Sequence, residues 1–167
     1  MLAGTRTALT LLVLVLLVVG GGSLGWSALT APMPKRETAP VCTDVTVMPG
    51  DHLYPGQVTV SVLNASKREG LAGRTLATLT DAGFSAGGAA NAPKGTKVST
   101  AEIWTNDSDS PAVALLQTYL PDADVVVKDS GEPGVTVVVG ENFSDFAQGA
   151  KSVAVIHPAT VCSPQLS

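Results

Sequence analysis

The chain has 167 residues, 45% of them hydrophobic and only 4% aromatic, and its ten basic and 14 acidic residues give a formal net charge of −4. That length suits one domain able to bury a core of its own, so no cofactor or structural metal is expected. The acidic balance argues against nucleic acid and anionic lipid as the main partner, because both select a net basic face.

Residues 7–34 carry no charge, and the densest apolar run within them is ALTLLVLVLLVV. About 20 such residues span a bilayer, so this segment is either a membrane span or an unusually long signal peptide. A cleavable signal needs small residues ahead of its cleavage point. The best candidate, after Ala31, has Leu29 at the third place back and Pro32 following, which favours a retained anchor. No Cys follows the run at lipoprotein spacing. The expected layout is a cytoplasmic tail over 1–8 and a single-pass transmembrane helix over 9–29, with Trp26 near its outer end where interfacial tryptophan is common. Arg6 on one side and Lys35 and Arg36 on the other nearly balance, so loop charge alone does not orient the span.

Cysteine placement does. The two cysteines, Cys42 and Cys162, stand at either end of the segment beyond the anchor. An even count at the margins of an exported segment reads as one bridge, as is usual in an oxidising compartment, and so places that segment outside the cell membrane. Two unrelated buried thiols are the alternative; metal binding by two distant cysteines with no nearby His is less favoured. Residues 30–57 hold five prolines (32, 34, 40, 49 and 55) with little periodicity and are expected to form an extended stalk.

From residue 58 the pattern changes. QVTVSVLN alternates apolar and polar residues, the signature of a half-buried strand. Gly70 opens a helix whose apolar positions Leu71, Ala72, Leu76, Leu79 and Ala82 recur near helical spacing, and Gly83 closes it. FSAGGAAN is a weak second strand and STAEIWT a third. Asp109 or Ser110 caps the next helix, Pro111 occupies its first turn, and AVALLQTYL runs until Pro121. DADVVVK and GVTVVVG come next as strands. The order β-α-β-β-α-β-β predicts an α/β (α+β) sandwich with two helices packed on one sheet. The tail, 147–167, fits either a short helix or a final edge strand and would be closed by the disulfide.

The strand, glycine turn and helix over 58–84 have the outline of a phosphate loop, but the detail fails. A dinucleotide fingerprint needs G-x-G-x-x-G directly at the strand end, whereas only Gly70 and Gly73 stand here, six or more residues past Leu63; Gly-Lys-Ser/Thr is also absent. What remains is a helix start flanked by Lys67, Arg68 and Arg74, which could meet an anion, with solvated loop charges partly neutralised by Glu69 as the alternative.

The same residues carry a family resemblance. VTVSVLNASKREGLAGRTLATLTDAGFSAGGAANAP resembles the LytR C-terminal domain: a strand ending in Val-Leu-Asn, a short turn, Gly-Leu-Ala at a helix start, and a Gly-Phe leading into the second strand. The likeness continues through SPAVALLQTYLP and VTVVVGENF, covering 58–146; one departure is Ala65, where many members carry Gly. In many members this domain comes after a LytR-CpsA-Psr catalytic domain that transfers glycopolymers onto peptidoglycan. The arginine-rich pyrophosphate site of that enzyme has no counterpart in these 167 residues. One anchor, one such domain and flanking cysteines are similar to an actinobacterial envelope integrity family. The resemblance implies a membrane-anchored, extracytoplasmic role in keeping the envelope intact, with a cell-wall polymer or an envelope protein as partner.

Other chemistry-bearing residues are sparse. His52 and His157 lie beside proline-containing turns without a nucleophile motif. Asn106, Asp107 and Asp109 resemble part of a calcium loop but lack its closing glutamate, and helix capping accounts for them. Asn64, Asn106 and Asn142 stand in N-x-Ser contexts that matter only in a eukaryotic secretory pathway. Trp104 and Tyr119 are expected to face each other in the core. A non-catalytic role is therefore expected, with the contact surface at Asn64, Lys67, Arg68, Gly70, Gly73 and Arg74; the rival is a hydrolase or transferase using Asp107, Asp109, Glu141 and Asp145, and a third reading is a docking regulator of a membrane enzyme.

Overall fold

The computed structural model describes residues 11–18 and 41–164. Residues 11–18 are helical, and among the described residues no helix is long and apolar enough to cross a membrane. The expected tail over 1–8, the remainder of the 9–29 anchor and residues 30–40 of the stalk lie outside the described residues.

The strand expected to be half-buried forms β3, Thr59–Asn64, and all six of its residues are buried. Its place in the sheet explains the difference. Downstream lie helix α1 (Leu71–Asp81), β4 (Ser85–Asn91), β5 (Ala101–Thr105), helix α2 (Pro111–Tyr119), β6 (Asp124–Val127) and β7 (Val135–Val139), the order expected. Five of these strands make one sheet in the order β4-β3-β7-β5-β6. Within it β3 runs parallel to both neighbours, β6 is parallel to β5, and β5 is antiparallel to β7. The result is an α+β fold with a mixed sheet, built from two β-α-β units, each joining neighbouring strands.

One face of the sheet holds the main core, where Val60, Val62, Ile103, Val137 and Val139 pack with Leu71, Leu79, Val113, Leu115 and Leu116 of the two helices. Local signals account for the helix ends. Gly70 takes a left-handed conformation (φ 67°) just before α1, and Gly83 does the same (φ 101°) after it. Ser110 accepts a hydrogen bond from the Ala112 N–H at 3.3 Å, with Pro111 in the first turn of α2.

The opposite face is smaller and partly polar. Leu63, Val98, Trp104 and Val138 cluster there. The Trp104 indole donates to Glu102 Oε2 at 2.7 Å, and Lys128 Nζ lies 3.6 Å from its ring centroid. The expectation that Trp104 faces Tyr119 is therefore corrected: Ile103 points to the helices, so strand alternation turns Trp104 away, while Tyr119 stacks edge-on against Phe84 at 5.1 Å. Beneath β3 the 129–134 loop closes this second face. Ser61 Oγ donates to the Pro133 carbonyl at 2.7 Å and accepts from the Gly88 N–H at 3.0 Å.

Outside the expected domain more structure appears. Residues 42–57, expected as the outer part of the stalk, form β1 (Cys42–Val47), β2 (His52–Leu53) and a 3₁₀ turn over Pro55–Gln57. The tail supplies their partners, β8 (Val153–Ala154) and β9 (Ala159–Pro164), with β1 antiparallel to β9 and β2 to β8. Val47, Leu53, Val155, Ala159 and Val161 thereby join the main core. Cys42 and Cys162 are disulfide-bonded, with Cα atoms 5.4 Å apart across a sequence separation of 120.

The bridge and the loop beneath β3 each give a measurable outcome. Replacing both cysteines by Ser should lower unfolding free energy by about 5 kcal/mol in the loop-entropy model, read from urea titrations of oxidised wild type and variant. Gly134→Ala, at φ 73° and with its new Cβ driven onto the Thr59 carbonyl, should destabilise by more than about 1 kcal/mol in the same titration.

Candidate functional site

Asn64 ends β3 at the point where three chains part. The Ala65 N–H donates to the Val139 carbonyl and the Ala92 N–H to the Asn64 carbonyl, both at 2.9 Å, so the loops leaving β3 and β4 start side by side. The Asn64 side chain, 8% exposed, then organises its own loop. Its Oδ1 accepts from Ser66 N–H (2.9 Å) and Ser66 Oγ (2.7 Å), an Asx turn, while its Nδ2 donates to the Arg68 carbonyl at 2.8 Å. Ser66 Oγ in turn accepts from the Arg68 N–H at 3.0 Å.

The loop after β7 braces the same turn. Glu141 Oε2 accepts from the Lys67 N–H at 3.0 Å, and the Arg68 guanidinium donates to the Phe143 carbonyl. Backbone donors of the turn are thus satisfied inside the protein, and the Lys67 side chain is left at the exposed surface. Between this turn and the loop after β4 runs a groove of about 380 Å³, with Asn64 to Glu69 forming one wall and Asn91 to Thr96 the other. Lys67 and Arg68 stand on the first wall and Lys94 on the second, with Glu69 the acidic residue among the lining.

Of the residues singled out in sequence, the structure brings Asn64, Lys67 and Arg68 together on this groove. Gly70, Gly73 and Arg74 lie on the exposed start of α1, outside its lining. Gly70 is needed for its left-handed backbone, and a Cβ there would sit 3.1 Å from the Arg74 guanidinium, which folds back over it. Gly73 faces open space, where a helical glycine costs about 1 kcal/mol relative to Ala. The wall that sequence reasoning missed is the β4–β5 loop with Lys94. A signal existed, since NAPKGT comes directly after the second strand of a β-α-β unit, and loops leaving adjacent parallel strands flank one crevice.

The carboxylates of the rival reading fall into two groups, Asp107 and Asp109 after β5 and Glu141 and Asp145 after β7. Asp107 and Asp109 come after β5, and because β5 is antiparallel to β7, they sit at the end of the sheet opposite to Glu141, which comes after β7. Asp107 Oδ1 accepts from the Asp109 N–H at 3.0 Å in the turn before α2, so local capping occupies it. His157 Nε2 lies 3.3 Å from the Asp109 carbonyl, and His52 is exposed on β2. Among the described residues no group of three or more His, Cys, Asp or Glu could hold a metal ion.

Because one buried amide holds the Asn64–Arg68 turn through three hydrogen bonds, Asn64→Ala should destabilise by about 1–3 kcal/mol and speed amide exchange at Ser66 and Arg68. Thermal melting and residue-resolved hydrogen exchange check both.

Comparison with known proteins sets the fold in context. The family model described as LytR cell envelope-related transcriptional attenuator, LytR_C, matches residues 57–143. No curated protein matches. Among solved structures, the chain is similar to the soluble domain of a conserved hypothetical secreted protein from Mycobacterium marinum, with 25% identity, 65% of this chain and 77% of that one covered, and a TM-score of 0.49. The family match spans β3 through β7 and both walls of the groove, more than half of the 167 residues, and so the chain belongs to the LytR C-terminal domain family.

Proposed function

We propose that this is a single-pass, extracytoplasmic, non-catalytic protein of the cell envelope whose outer domain binds a cell-wall polymer through the groove at the ends of β3 and β4. The observation that carries this reading is the groove itself. It has a rigid wall, Asn64 to Arg68, whose backbone is hydrogen-bonded internally and whose cationic side chains are exposed. Its outward-facing groups suit adhesion. The family's description as cell envelope-related supports the location, and the Cys42–Cys162 bridge fits an oxidising compartment. The separation of Asp107 and Asp109 from Glu141 speaks against an acid–base pair drawn across these two groups of carboxylates.

The full chain in detergent micelles is expected to co-sediment saturably with isolated bacterial cell wall. Replacing Lys67, Arg68 and Arg74 together by Ser should remove that binding, and the melting temperature should fall only by what the lost Arg68–Phe143 hydrogen bond contributes. Equal binding by the variant would move the site off this surface, and failure of both proteins to bind would favour a protein partner in the membrane.

A further inference from the structure

We infer that the groove takes an anionic, phosphate-bearing polymer, held from both sides by Lys67 and Arg68 on the β3–α1 loop and by Lys94 and Lys97 on the β4–β5 loop. This rests on the groove being the binding site. Charge distribution is the first ground. Residues 41–164 contain seven basic residues, namely Lys67, Arg68, Arg74, Lys94, Lys97, Lys128 and Lys151. The first five of them lie on these two loops or on the first turn of α1. The same span holds 13 of the chain's 14 acidic residues, since Glu37 precedes it, yet Glu69 alone of these lines the groove. Glu141, nearby, is already engaged with the Lys67 N–H. A net acidic domain with its cations gathered at one spot repels a polyanion elsewhere and steers it to that spot.

The lining chemistry is the second ground. None of the twelve lining residues is aromatic, so the groove offers no ring on which a neutral sugar could stack. Its specificity has to come from charge and hydrogen bonding. Lys67 and Lys94 are exposed point charges on opposite walls, and Arg68, exposed on the first wall with one guanidinium nitrogen bonded to the Phe143 carbonyl, adds a third positive charge. Opposed cations across about 380 Å³ exceed what one phosphate needs, and Lys97, exposed, comes directly after Thr96, the last lining residue of its loop. A chain of repeated phosphates fits this arrangement better than a single ion.

The test uses the full chain in detergent with three partners: inorganic polyphosphate, Gram-positive cell wall carrying teichoic acid, and the same wall after hydrofluoric acid has cleaved its phosphodiesters and left peptidoglycan. Wild type should bind polyphosphate and intact wall, and lose the stripped wall. K94S/K97S, which alters the wall opposite Lys67 and Arg68, should bind both about tenfold more weakly at an unchanged melting temperature. Raising salt from about 50 to about 300 mM should weaken binding steeply. Equal binding to stripped and intact wall would overturn the phosphate inference and leave the groove as a wall-binding site. Binding to neither wall but to polyphosphate would keep the chemistry and overturn the wall reading; binding to none of the three would overturn both.

Discussion

Strand β3 lies between two parallel partners and neither of its faces meets solvent, so every polar group along it has to be satisfied by some other part of the domain. Most of the architecture answers that demand. Val60 and Val62 face the helices, and Ser61 is met by the Pro133 carbonyl and the Gly88 amide. Gly134 must lack a side chain because the Thr59 carbonyl sits where a Cβ would go. One group is left over: the Thr59 hydroxyl is buried with no hydrogen-bond partner among the described residues. At the far end of the strand the demand becomes useful. Asn64, buried like the rest, commits its amide to the next turn of the chain, and that turn is the firm wall of the groove.

The two faces of the sheet differ in how they are closed. Helices α1 and α2 seal one with aliphatic packing, supported by β1, β2, β8 and β9. A loop and a small cluster around Trp104 seal the other. Because parallel strands β3, β4 and β7 all end on the same side, three loops converge there: the Asn64–Gly70 turn, the Asn91–Thr100 connection and the segment from Gly140. Two of these form the groove and the third braces it through Glu141 and Phe143.

How much of this is legible in sequence depends on how local each signal is. The β-α-β-β-α-β-β order can be read because its helices are punctuated by Gly70, Gly83, Ser110, Pro111 and Pro121, and its strands by short runs of Val. The strands β1 and β9 cannot, since each has meaning only against a partner more than a hundred residues away, and β2 and β8 are two residues long. Full burial of β3 is hidden because Thr59 and Ser61 look solvent-facing until the 129–134 loop is folded over them. Pairing Trp104 with Tyr119 places it on the same face as its neighbour Ile103, although strand alternation alone separates the two. At the site, the Lys67–Arg68 wall is visible beside its helix, whereas Lys94 joins it only once β3 and β4 are taken as adjacent parallel strands of one β-α-β unit.

The pairing of β1 with β9 also decides how the domain takes a pull. Cys42 and Cys162 are covalently joined, so tension applied to the chain ahead of Cys42 enters at both ends of the domain at once. From there one path runs forward through β1 towards Asn64 and the other backwards from β9 towards the β4–β5 loop. The sheet and the groove sit inside a closed covalent ring. A pull between the chain ahead of Cys42 and any point inside the ring can stretch the segments that lead to that point, but it cannot unravel the fold from its terminus.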